Sequence, residues 1–88
     1  MIQNLEILNE KGLHARASAK FVECVESFDA ACVVSKDGME VGGDSIMGLM
    51  MLAASKGCTI GVETTGNQAA ELGNALRTLV ADCFGEGK

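Results

Sequence analysis

The hydrophobic period of this chain changes within one short stretch, Gly12-Leu13-His14-Ala15-Arg16-Ala17-Ser18. Before it, Leu5 and Ile7 share one parity, Ile2 and Leu8 take the other, and Asn9-Glu10-Lys11-Gly12 follows as a turn. That pattern predicts a strand over 2–8. After it, Ala17, Phe21, Cys24, Val25 and Phe28 recur at helical spacing and leave Lys20, Glu23, Glu26 and Ser27 to water. The switch commits the chain to a mixed α and β fold and brings its only histidine to the junction. Capping rules make Ser18 the obvious start of the helix. Ala15, Arg16 and Ala17 are good helix formers, so a start just after His14 meets no resistance either.

The remaining elements follow the same logic. Cys32-Val33-Val34-Ser35 is short and β-branched, Lys36-Asp37-Gly38 is a hairpin signal, and Met39-Glu40-Val41 is the return strand. Gly42-Gly43 ends it, and Ser45 is placed to cap a second helix. Lys56-Gly57 closes that helix, and Cys58–Glu63 reads as a fourth strand with Ile60 and Val62 on one face. Asn67 is the expected cap of a last helix running to about Phe84, with Leu72, Leu76, Leu79, Val80 and Cys83 as its stripe. Gly85 ends it, and the residues beyond are expected to fray. The order β-α-β-β-α-β-α predicts an α+β fold with helices on one face of an antiparallel sheet. At 88 residues this is one domain, 1–88. Phe21, Phe28 and Phe84 are its only aromatics, so the core must come from Leu, Val, Ile, Met, Ala and Cys.

The second helix is unusual. Ile46, Met47, Leu49, Met50, Met51 and Leu52 are apolar nearly all the way round. A short helix on a small domain cannot bury every side, so part of this surface, including Ile46, Met47 and Met50, is expected to be exposed and to dock a partner. Gly48 inside the helix costs up to about 1 kcal/mol against alanine unless another backbone approaches it closely.

A net charge of −5 argues against nucleic acid and anionic membrane as partners. Three of the seven basic residues, Lys11, Arg16 and Lys20, nevertheless flank His14, diluted by Glu10, Glu23 and Glu26. Cys24, Cys32, Cys58 and Cys83 form no C-x-x-C pair, so no metal site is expected. With no signal segment and no long apolar run, they read as reduced core thiols of a cytoplasmic protein.

The chemistry gathers at His14. Histidine can act as a nucleophile near neutral pH. Arg16, two residues on, supplies a planar fork of donors suited to a phosphoryl group, and a nearby helix start would add free N–H groups and a positive dipole end. Together they suggest a phosphoryl group held on, or passed through, His14.

Gly12-Leu13-His14-Ala15-Arg16 resembles the active-site signature of the histidine-containing phosphocarrier proteins (HPr/NPr-like) of the phosphoenolpyruvate-dependent phosphotransferase system. Asp44-Ser45-Ile46-Met47-Gly48-Leu49-Met50 resembles that family's regulatory serine and the helix after it, and the similarity runs over nearly the whole chain. One departure is Ala17, where the family usually has proline. The resemblance implies an open-faced β-sandwich, with strands in spatial order first, fourth, second, third, and the earlier helix start. It implies a carrier rather than an enzyme, without cofactor. His14 would bear phosphohistidine through Nδ1, Arg16 would stabilise the phosphoryl group, and Ser45 would take a regulatory phosphate. Ile46, Met47, Met50 and Lys20 would dock partners. Those partners are enzyme I, EIIA-type acceptors and an HPr kinase/phosphorylase, and the carrier is expected to be a monomer.

Two other readings compete. A chiefly regulatory phosphoprotein of nitrogen or carbon control would keep His14 and Ser45 and act by partner binding. An acyl carrier protein would bear pantetheine on Ser45, because Asp44-Ser45-Ile46 looks like its motif, but it would be all-helical.

Overall fold

The computed structural model describes residues 1–88. Its elements are β1 (Ile2–Glu6), α1 (Ala15–Glu26), β2 (Ala31–Lys36), β3 (Met39–Gly42), α2 (Ile46–Met51), β4 (Thr59–Thr65) and α3 (Ala69–Ala81), then a 3-10 turn at Cys83–Gly85. The four strands form one antiparallel sheet in the order β1-β4-β2-β3. The sheet excludes the acyl-carrier reading, and strand order and helix placement agree with the family resemblance. No helix is long and apolar enough to cross a membrane.

Period two sorts the side chains of the sheet. Leu5 pairs with Ile60, and Val34 faces both Val62 and Val41. Leu5, Ile60, Val62 and Val34 are buried, whereas Ile2, Glu6, Thr59, Glu63 and Val33, of the other parity, are exposed. One face therefore carries the core and the other meets solvent. Phe21, Val22 and Val25 of α1, Leu49 of α2, and Leu72, Leu76 and Val80 of α3 close that core. Burying one side chain of this size contributes roughly 1.5–3 kcal/mol. Asp37 (φ 51°) and Gly38 (φ 84°) make the tight hairpin between β2 and β3, since both central positions of such a turn need positive φ.

Several local expectations change. The helix α2 ends at Met51 and not at Lys56-Gly57, because Ala53 (φ 51°) already turns left-handed. Asn67 does not cap α3: its Nδ2 donates to Asp29 Oδ2 at 2.9 Å, and the N-cap position falls to Gln68, which makes no side-chain cap bond. Gln68 Oε1 instead accepts from Asp29 N at 2.7 Å, so both residues serve the turn after α1. The helix α3 stops at Ala81, short of Phe84, because Cys83 (φ 53°) and Phe84 (φ 55°) turn left-handed. At Gly48 the neighbour is a side chain and not a backbone: an added Cβ would lie 3.1 Å from Val41 Cβ. The chain after Gly85 does not fray at Glu86, whose side chain reaches His14.

Candidate functional site

The segment before α1 is pinned on both sides of His14. Gly12 has φ +64°, and a Cβ there would sit 2.2 Å from the carbonyl oxygen of Ala54, so glycine is required by conformation and by space. Leu13 is buried, and its N–H donates to that same Ala54 oxygen at 2.9 Å. Ser18 Oγ donates to Leu13 O at 3.1 Å, and buried Asn9 donates through Nδ2 to Gly12 O at 2.9 Å. Ser18 is thus spent on the loop and is not the helix cap.

His14 is the N-cap of α1, with extended backbone (φ −74°, ψ −178°). The first main-chain bond of the helix runs from Ser18 N to His14 O at 2.9 Å. The N–H groups of Ala15, Arg16 and Ala17 lie ahead of it and take no helical carbonyl, which leaves donors and a positive dipole end beside the imidazole. Ala17, the third helical residue and fully buried, spends no helical hydrogen bond, so alanine serves where proline is usual.

The two ring nitrogens of His14 have different partners. Nδ1 accepts from Arg16 N at 3.3 Å. Nε2 faces Glu86 Oε2. An acceptor role at Nδ1 and a carboxylate at Nε2 assign the ring proton to Nε2 and the lone pair, which meets the Arg16 N–H, to Nδ1. The other carboxylate oxygen of Glu86 accepts from Asn9 Nδ2 at 2.9 Å. Burial pushes the Glu86 carboxyl up, but the hydrogen bonds from Asn9 and His14 and the charge of Lys11 outweigh it, and the net direction is below the usual carboxylate value.

Lys11, Arg16, Lys88 and Glu10 rim the cleft around His14 and Glu86. Lys11 and Arg16 are where the sequence reading placed them. The Lys20 ammonium donates to Phe84 O at 2.7 Å and anchors the C-terminal turn. Glu86 and Asn9 were not singled out from sequence. Only the left-handed turn at 83–85 brings Glu86 back to α1, and no helical period signals it.

A second depression joins His14 and Leu13 to Met50, Ala53 and Ser55. It connects the histidine to α2, where Leu49 and Leu52 are buried while Ile46, Met47 (75% exposed), Met50 and Met51 face solvent. Ser45 caps this helix, with its Oγ accepting from Gly48 N at 2.9 Å, and stays partly exposed.

The family model described as "PTS HPr component phosphorylation site" matches residues 2–82. The chain is 50% identical over 86 residues to the phosphocarrier protein HPr of Neisseria meningitidis serogroup A, covering 98% of this chain and 97% of that one. It is 46% identical over 82 residues to the phosphocarrier protein HPr of Cupriavidus necator, covering 93% and 92%. Its fold matches the crystal structure of HPr-C-His from Thermoanaerobacter tengcongensis with a TM-score of 0.93 at 37% identity, covering 98% and 97%.

Proposed function

Because the chain belongs to the HPr family of phosphocarrier proteins of the phosphotransferase system, we propose that His14 carries a phosphoryl group on Nδ1. The group arrives from phosphorylated enzyme I in the cytoplasm and leaves to an EIIA-type acceptor. The observation that carries this reading is His14 Nδ1 accepting from Arg16 N at the open start of α1, with Arg16 on the same rim. In the transfer the Nδ1 lone pair attacks phosphorus. A P–N bond forms as the bond from phosphorus to the donor's leaving atom breaks, and the donor keeps that electron pair. The ring keeps its Nε2 proton and becomes cationic. Arg16 and the N–H groups of the first turn meet the charge on the phosphoryl oxygens.

Partner proteins dock on Ile46, Met47 and Met50, which the depression beside Met50 connects to His14. Lys20 supports docking through the C-terminal turn it anchors. Ser45 takes a regulatory phosphate from an HPr kinase/phosphorylase, which places new charge at the edge of that apolar surface.

The test is labelling with phosphoenolpyruvate and enzyme I. One acid-labile phosphate is expected on wild type and none on His14→Ala. Acid-labile label on the alanine variant would overturn the assignment.

A further inference from the structure

We propose that Glu86, held by Asn9, is a positioning residue that fixes the His14 ring with its proton on Nε2 and its lone pair presented at Nδ1. The proposal rests on the carrier reading and adds a residue to its machinery.

The carboxylate is delivered by a built hook. Cys83, Phe84 and Gly85 take successive left-handed conformations with φ of 53°, 55° and 77°. The first two have side chains and resist that region by roughly 1–2 kcal/mol each. Three contacts hold them there. Phe84 is fully buried in the core, Lys20 Nζ donates to Phe84 O at 2.7 Å, and Glu86 N donates to Cys83 O at 2.9 Å. The hook turns the chain after α3 back onto the N-terminus of α1.

Once there, the carboxylate is gripped from two sides. One oxygen faces His14 Nε2, and the other accepts from Asn9 Nδ2. Asn9 is fully buried, and its Oδ1 has no partner. Its amide offers two hydrogens to two acceptors, Gly12 O and Glu86 Oε1, and its oxygen is left unpaired as the consequence. An unpaired buried amide oxygen is costly, so the donors on the other side of that amide decide the arrangement. Asn9 thereby ties the turn before His14 and the tail after α3 into one unit. The Glu86 side chain is 15% exposed and that of His14 27%, so water competes weakly for this bond.

The geometry separates two tasks on one ring. Nε2 points at a fixed anion, and Nδ1 points at the helix start. As the attack at Nδ1 makes the ring cationic, the carboxylate at Nε2 stabilises the charge without standing where the phosphoryl group must sit. This is the logic by which an acidic residue orients and supports a reacting histidine. Lys11, Arg16, Lys88 and Glu10 also face the cleft, but none of them bonds the ring through its side chain.

The test uses the full chain as wild type, Glu86→Ala and Glu86→Gln. The Nε2 proton of His14 is followed in proton–nitrogen correlation spectra at a mildly alkaline pH, and labelling by phosphorylated enzyme I is timed. Wild type should show a slowly exchanging Nε2 proton. Glu86→Ala should lose it and label about tenfold more slowly, with its melting curve still cooperative. Glu86→Gln keeps an acceptor oxygen but not the charge, so it should retain the proton signal and label at an intermediate rate. Unchanged exchange and rate in Glu86→Ala would overturn the proposal. Faster labelling would also overturn it and make the tail an obstruction to be displaced. A wild type that takes no label on His14 would sink the carrier reading instead, while the exchange measurement would still report the contact.

Discussion

Gly12 and the carbonyl of Ala54 approach so closely that a single methyl group on Gly12 would lie 2.2 Å from that oxygen. The same oxygen accepts the N–H of Leu13, so the turn before His14 is fastened to the segment after α2 at one atom. Gly12→Ala must relieve both the clash and a φ of +64°. A loss of at least about 2 kcal/mol is expected in urea unfolding, together with slower labelling of His14. A variant of wild-type stability would mean that the 54–55 segment yields freely.

Arg16 is exposed, and its guanidinium holds no protein carboxylate. Arg16→Ala should therefore leave the melting temperature nearly unchanged and slow phosphoryl transfer tenfold or more, a charge-assisted contact being worth roughly 1.5–3 kcal/mol. A large stability loss with an unaltered transfer rate would make the arginine structural.

Met47 is 75% exposed on α2. Met47→Glu should fold like wild type and bind enzyme I at least several-fold more weakly, read by calorimetry or by the concentration dependence of labelling. Wild-type affinity would remove Met47 from the docking surface.

Ser45 caps α2, and the regulatory phosphate proposed for it can be tested apart from that cap. Ser45→Ala loses the acceptor of Gly48 N–H and should cost about 1 kcal/mol. Ser45→Asp keeps an acceptor and adds charge beside Ile46 and Met47, so it should retain stability and label His14 more slowly. Equal labelling of wild type, Ser45→Asp and the serine-phosphorylated protein would remove the antagonism between the two sites.

The Glu86 carboxyl sits below its ordinary value, so its contribution to stability is complete above the unfolded-state value, about 4.3, and is lost as pH falls through the lower native one. The stability gap between wild type and Glu86→Gln should thus narrow as pH falls below about 4.3. A gap that widens as pH falls below that value would contradict the direction of the shift.

Much of this was legible before the fold was known, and the exceptions have physical causes. The parity of Leu5 with Ile7, and of Ile60 with Val62, marked the inner face of the sheet, because alternation in a half-buried strand leaves few choices, whereas adjacent Val33 and Val34 give no parity and only the pairing buries Val34. The exposure of Ile46, Met47 and Met50 was readable because six apolar side chains exceed what one short helix can hide. Ser18 misleads as a cap because a serine hydroxyl is equally able to reach back to Leu13 O, and only the pinned loop decides between the two. Asn67 misleads for the same reason, its amide being claimed by Asp29 from the end of α1. Glu86 was invisible because its role depends on left-handed residues at Cys83 and Phe84, side chains that do not advertise that conformation. At His14 the residue types pointed to the chemistry, whereas the assignment of each ring nitrogen required partners brought from Arg16 and Glu86.

The strand order has a consequence for how the chain is made. β1 borders only β4, and β4 lies between β1 and β2. On a ribosome the first strand emerges with no neighbour to bond, and it must wait through both α1 and the β2–β3 hairpin until residues 59–65 follow. The hairpin can close early, but the apolar faces of β1 and α1 have no finished sheet to cover while the centre is absent. Completion of the carrier therefore comes late and all at once. A chain stalled before β4 presents Leu5, Ile7 and Phe21 to whatever holds nascent chains in solution.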